Sequence, residues 1–153
     1  MDTGTTAVLL DTDVYSYLMR PGTQAQIYRP HVEGKLVSVS FVTVGELLHG
    51  AYRKKWGQQK LDDLMERFRS VTIIPYDFEV CKTCKTYADL RTKLEAIGTP
   101  VGDNDLWIAA CAVRHSIPLI SNNRSDFERI PGLVLISEAP VIREIKSQEV
   151  LPL

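Results

Sequence analysis

The apolar run Ala7-Val8-Leu9-Leu10 stops at Asp11, and this junction limits the folds open to the chain more than any other feature. Four apolar residues without alternation require burial on both faces, the condition of an inner strand in a parallel sheet. Similar runs recur at Lys35–Val44, Val71–Ile74, Ile117–Ile120 and Leu133–Ile136. The segments between them read as helices. Val14–Arg20 is closed by Pro21-Gly22, and Gln24–Val32 exits at Gly34. Glu46–Ala51 turns helical after the second strand. Leu61, Leu64, Met65 and Phe68 fall at i, i+3, i+4 and i+7, the stripe of an amphipathic helix. Phe78–Ile97 is a longer helix closed by Gly98 and Pro100. Asp103 and Asn104 are cap residues for a helix to about Arg114, whose Leu106–Val113 stretch is apolar nearly all round. Strands alternating with helices predict an α/β fold, with a mainly parallel central sheet of about five strands flanked by helices. A length of 153 residues suits one domain, with its core over about 7–137 and an extension over 138–153 whose structure is left open.

Lys and Arg total 18 against 19 acids, for a net charge of -1, so a nucleic-acid partner has to be met by a local patch. The densest basic cluster is Arg53-Lys54-Lys55, with Trp56 beside it and Lys60 beyond. Such cations contact phosphate and an aromatic ring stacks on a base, although cations also suit a helix C-terminus on dipole grounds alone. Cys81, Cys84 and Cys111 make an odd count with one C-x-x-C pair, a poor disulfide framework that fits a reducing cytosol. Cys81 and Cys84 share a helix face, and the three histidines supply no second ligand pair for zinc. The acidic, polar start Met-Asp-Thr-Gly-Thr-Thr lacks the basic region of a signal peptide, and no apolar run approaches ~18 residues. The expected location is cytoplasmic.

In open α/β sheets ligands bind at the C-terminal strand edges, so the acids at element junctions carry the most information. Asp11 follows the first strand and Glu46 lies in the first turn of the helix after the second. Asp105 leads the apolar helix, while Ser121, Asn122, Asn123 and Asp126 follow the fourth strand. Each acid could separately be a cap or a solvated charge. Asp105 is the exception, because an acid on a buried helix needs a partner and two cap residues already precede it. Converging carboxylates repel unless a cation neutralises them, and an all-oxygen set selects Mg²⁺ or Mn²⁺. Such a centre suits phosphodiester hydrolysis.

Four blocks carry a family resemblance. Leu9–Val14 and Val39–Ala51 resemble the PIN-domain ribonucleases. Gly98–Ala110 and Leu119–Leu133 are similar to the VapC-type toxin branch, and the match runs in order from about Val8 to Ile136. The resemblance implies a PIN-like three-layer fold and a metal-dependent endoribonuclease, the toxin of a VapBC-type toxin–antitoxin pair whose antitoxin inserts a segment into the active site. It places the catalytic acids at Asp11, Glu46 and Asp105, with Asp126 as the fourth and Asn123 as the competing position. Asp11 and Asp105 are then the ligands of Mg²⁺ or Mn²⁺, Glu46 handles the attacking water, and Ser121, Asp103 and Asn123 support the site from behind. RNA binding falls to Arg53, Lys54 and Lys55.

Two other readings compete. Asp11-Thr12-Asp13 after a strand also fits a haloacid-dehalogenase-like phosphatase, yet that family needs a downstream lysine and only Lys146 follows Ser121. A PIN-like fold kept as a non-catalytic assembly module is the second. Finally, Tyr15, Tyr17, Leu18 and Tyr28 suggest an apolar surface for a homodimer and for an antitoxin helix.

Overall fold

The computed structural model describes residues 6–74 and 81–140. The first half runs β1 (Ala7–Leu10), α1 (Thr12–Leu18), α2 (Thr23–Val32), β2 (Leu36–Ser40), α3 (Phe41–Arg53), α4 (Gln58–Arg69) and β3 (Thr72–Ile74). The second runs α5 (Lys82–Ala96), α6 (Asp103–His115), β4 (Leu119–Ile120), α7 (Arg124–Phe127) and β5 (Leu135–Ile136). The strands form one sheet in the order β3-β2-β1-β4-β5, and every pairing is parallel. The expected α/β architecture is therefore present, with β1 at the centre as its unbroken apolar run requires.

Successive residues of a strand face opposite sides, and β1 distributes its side chains accordingly. Leu9 enters a core with Leu90 and Leu94 of α5 and Leu106 and Ile108 of α6. Val8 and Leu10 enter a second core with Val14 of α1, Tyr28 of α2, Ala51 of α3 and Leu64 and Phe68 of α4. Two helical layers thus sandwich the sheet. The buried Ser38 hydroxyl between them donates to the Val8 carbonyl at 2.8 Å, so its burial leaves no donor unmet.

Several local expectations are corrected. The strand read to Val44 ends at Ser40, because the Ser40 hydroxyl accepts from the Thr43 backbone N–H at 3.3 Å and starts α3. The β-branched run Val42-Thr43-Val44 favours strand locally, but this cap and the burial of those side chains in both cores override it. Asp103 and Asn104 do not cap α6. Its N-cap is Gly102, and both residues already lie in the first turn. Met65 leaves the apolar stripe of α4 for solvent, while Leu64 and Phe68 stay buried. The apolar surface expected from the early helices is core instead, since Tyr15 and Tyr28 are buried and Tyr17 and Leu18 pack against them. The short α7 was not anticipated from the sequence; it buries Phe127 and exposes Asp126. Cys81 precedes α5 in a left-handed conformation rather than sharing a helical face with Cys84. Residues 78–80 of the expected helix and the extension beyond 140 lie outside the described residues.

The tightest part of the core is α6, where Ile108 is 0% exposed. Ile108→Ala is expected to cost about 2–5 kcal/mol in urea unfolding. Ile97→Ala, at a position 63% exposed, is expected to change stability by no more than about 0.5 kcal/mol.

Candidate active site

The register of the sheet assembles the site. Leu10 lies opposite Val39 on one side and Ile120 on the other, so Asp11, Ser40 and Ser121 emerge side by side at the C-terminal edge. Pairing extends one step past β1, with the Asp11 N–H donating to the Ile120 carbonyl at 2.9 Å. The chain order reverses at β1, which opens a crevice at this edge. Asp11 is 5% exposed and its backbone is extended, which makes it the N-cap of α1. Its Oδ2 accepts from the Ser121 hydroxyl at 2.7 Å and its Oδ1 from the Thr12 N–H at 2.7 Å. Ser121 is held in turn by the Asn123 N–H, which donates to its Oγ at 3.0 Å.

Helix α3 brings the second acid. Thr43 is buried one turn into the helix, and Glu46 stands three residues on, along the same face. The Thr12 hydroxyl lies 3.0 Å from the Thr43 hydroxyl and donates to Glu46 Oε1 at 2.8 Å. Glu46 is therefore in the second turn of α3, not the first. That change of turn is what aims it at α1.

Helix α6 brings the third acid. Asp105 is the third residue of α6 and is half-buried. It lies beside Asp126 of α7, whose Oδ2 accepts from Asn123 Nδ2 at 2.7 Å. Asp13, on the first turn of α1, accepts from the Asn122 N–H at 3.0 Å and adds its charge beside Asp11. Asn122 is positioned by the Tyr28 hydroxyl, which donates to its Oδ1 at 2.7 Å.

Mutual repulsion marks the group electrostatically. Burial, then the Asp13 charge, pushes the Asp11 carboxyl from its ordinary 3.8 up to about 7, and Asp105 adds a smaller push. Burial and the bond to Asp126 lift Asp105 to about 6, with Glu46 and Asp13 contributing. Asp13 is also raised, chiefly by burial. Among the described residues, none of Asp11, Asp13, Glu46, Asp105 and Asp126 is in a salt bridge with a Lys, Arg or His. Among the described residues no three His, Cys, Asp or Glu side chains close around a single point. An all-oxygen cluster with unneutralised charge fits a hard divalent cation.

Comparison with known proteins decides the family. The PIN domain model matches residues 8–133. The chain belongs to the PIN-domain family. A ribonuclease VapC2 from Rickettsia felis is 32% identical over 132 residues, covering 83% of this chain and 94% of that protein. A tRNA(fMet)-specific endonuclease VapC from Salmonella typhimurium is 26% identical over 125 residues, covering 82% of this chain and 92% of its own length. Among solved structures, VapBC2 from Rickettsia felis, bound to a promoter DNA fragment, matches with TM-score 0.74 at 28% identity, over 86% of this chain and 98% of that one. VapBC-1 from nontypeable Haemophilus influenzae matches with TM-score 0.73 at 28% identity, over 86% of this chain and 98% of that chain. The phosphatase alternative falls with this assignment.

In this PIN domain Asp105 comes within electrostatic reach of Asp11, Glu46 and Asp126. Asn123 and Asp126, the two candidates for the fourth position, are joined by a bond from Asn123 Nδ2 to Asp126 Oδ2. Asp103 is committed elsewhere, bonding Arg91 and lying 3.3 Å from the Tyr87 hydroxyl on α5. Sequence reasoning missed Asp13, Thr12 and Tyr28 as parts of the site. The Asp-x-Asp spacing at the start of α1 was a readable signal for Asp13, whereas the Tyr28–Asn122 bond spans 94 residues and leaves none. Among the described residues, no helix is long and apolar enough to cross a membrane.

A pH dependence follows. Asp11 and Asp105 hold their protons more tightly folded than unfolded, so the folded chain binds the excess protons between their ordinary 3.8 and about 7 and about 6 respectively. Their contribution to stability is full below 3.8 and is lost as pH rises through these folded values. In chelator, the melting temperature should fall as pH is raised from about 5 to about 7.5, and Asp11→Asn should make that slope shallower in a thermal-melt series.

Proposed function

We propose that this PIN domain is the toxin of a VapBC-type toxin–antitoxin pair, a cytoplasmic endoribonuclease that hydrolyses RNA phosphodiester bonds with Mg²⁺ or Mn²⁺. The observation that carries the reading is the set Asp11, Glu46 and Asp105, drawn together at the switch point of the sheet with no cation among them. The relatives named as ribonucleases support RNA as the substrate, and the VapBC complexes support an antitoxin partner. Exposed apolar residues such as Tyr52 and Met65 are compatible with the homodimer included in the reading, which light scattering tests.

Asp11 and Asp105 would hold the divalent cation, with Asp126 completing the set. A cation bound there supplies Lewis acidity and positive charge at the phosphodiester. Ser121 and the Thr12 N–H fix the Asp11 carboxylate in one orientation. Asn123 does the same for Asp126. Glu46, held through one oxygen by Thr12, orients the attacking water and accepts its proton. Asp13 adds negative charge beside Asp11 and so strengthens the demand for a cation. Asp103, tied to Arg91, supports the start of α6 without entering the group. The chain forms a single domain in this reading, with 138–153 as an extension.

Purified protein should cleave RNA with Mg²⁺ or Mn²⁺ and not in chelator. Glu46→Gln should lower kcat about 10²–10⁴-fold, as loss of a general base does. Asp11→Asn and Asp105→Asn should abolish both cleavage and the rise in melting temperature on adding Mn²⁺. A protein that neither cleaves RNA nor is stabilised by either cation would be the non-catalytic module.

A further inference from the structure

A cavity of about 650 Å³ opens beside Glu46, between α1, α3 and α4. Its size falls within the ~300–1,000 Å³ of clefts that enclose small ligands. Five cations line it: Arg20 past the end of α1, Arg53 and Lys54 at the end of α3, and Lys60 and Arg67 on α4. Only two carboxylates join them, Glu46 itself and Asp63, whose Oδ1 already accepts from Gln59 Nε2 at 3.0 Å. Among the described residues, none of the five cations is in a salt bridge. This is local, since the whole chain carries a net charge of -1.

Helix dipoles do not account for the arrangement. Arg53 and Lys54 suit the C-terminal end of α3, and Arg67 that of α4. Lys60 lies in the first turn of α4, where the dipole opposes a cation, yet it faces the same cavity, with its Nζ 5.8 Å from the centre of the Trp56 ring. The floor between the charges is apolar, made by Met19, Leu47 and Trp56. Uncompensated cations around an apolar floor that includes an aromatic ring are the composition of a single-strand nucleic-acid groove.

We infer that this cavity is a substrate subsite that seats one nucleotide of the RNA strand next to the bond being cut. Its phosphates lie on Arg20, Arg53, Lys54, Lys60 and Arg67, and its base lies on the apolar floor beside Trp56. The inference rests on the ribonuclease reading and adds to it the place where the strand runs. Glu46 belongs to both the acidic group and the cavity wall, so a strand seated here presents a neighbouring phosphodiester to the acids. The acids alone repel a polyanion, and the cavity supplies the opposing attraction. Lys55 stands in a left-handed turn and does not line the cavity, which shifts the basic patch read from the sequence toward Arg20 and α4.

The test measures binding of a labelled, mixed-sequence single-stranded RNA to full-length Asp11→Asn protein across a salt series. The same measurement is made with Arg20→Gln, Lys60→Gln and Arg67→Gln added together, and with the charge-matched control Arg29→Gln, Lys35→Gln and Lys93→Gln. The cavity variant should bind about tenfold or more weakly, and its log–log salt slope should be shallower by about 2, since each lost phosphate contact removes ~0.7. The control should lose less than half of that slope. Equal losses in the two variants, or no loss in the cavity variant, overturn the subsite. If the wild-type protein cleaves RNA while the cavity variant keeps its affinity, the subsite fails and the ribonuclease reading stands. If the wild-type protein neither binds nor cleaves RNA, both fail. A cavity variant that loses an acidic protein partner but keeps RNA affinity assigns the cavity to protein and overturns the proposal.

Discussion

The hydrogen bond from Ser121 to Asp11 joins the two halves of the chain at the point where the sheet reverses its order. It spans 110 residues and is buried, so it forms only when β1 and β4 are paired in the observed register. A slip of one residue would exchange the cores that Leu9 and Leu10 enter and turn Asp11 to the opposite face of the sheet. The register is protected by the two buried faces of β1, whose Leu9 and Leu10 belong to different cores. Everything in the site that points toward the crevice inherits its position from this pairing.

Holding several acids at one edge is costly, and the structure shows how the cost is met without a cation. Asp13 lies beside Asp11 and Asp126 beside Asp105, burial raises the proton affinity of Asp11, Asp13 and Asp105, and each pair is held by a backbone or amide donor. Pairs of this kind need either protons or positive metal charge, and at neutral pH protons are scarce. The same fold surrounds the acids with two solid cores, which keeps them from separating to relieve the repulsion.

The basic cavity and the acidic edge are two halves of one electrostatic design. A polyanionic substrate cannot approach carboxylates unless cations nearby outweigh them. The chain as a whole is nearly neutral, so the cations have to be gathered into one place, and α1, α3 and α4 gather them. Met19, Leu47 and Trp56 keep the floor between them apolar, which adds area for a base without adding charge.

The sequence alone shows the alternation of strands and helices, the burial of the first strand on both faces and the candidate acids Asp11, Glu46 and Asp105. It could do so because burial on two faces leaves an unbroken apolar run, and because acids at element ends stand out against such runs. The end of β2 was misread because Val42-Thr43-Val44 favours strand locally, while the Ser40 cap and burial in two cores are tertiary facts. Asp103 and Asn104 carried cap chemistry in the sequence, yet the fold spends Asp103 on Arg91 and leaves Gly102 at the cap. Only the tertiary structure decided that Tyr28 steadies Asn122, that Asn123 serves Asp126, and that Arg20 and Arg67 face the same cavity as Arg53. The Tyr28–Asn122 bond and the shared cavity join residues far apart in the chain, and no local pattern encodes them, because pairing across the sheet and packing between helices set them.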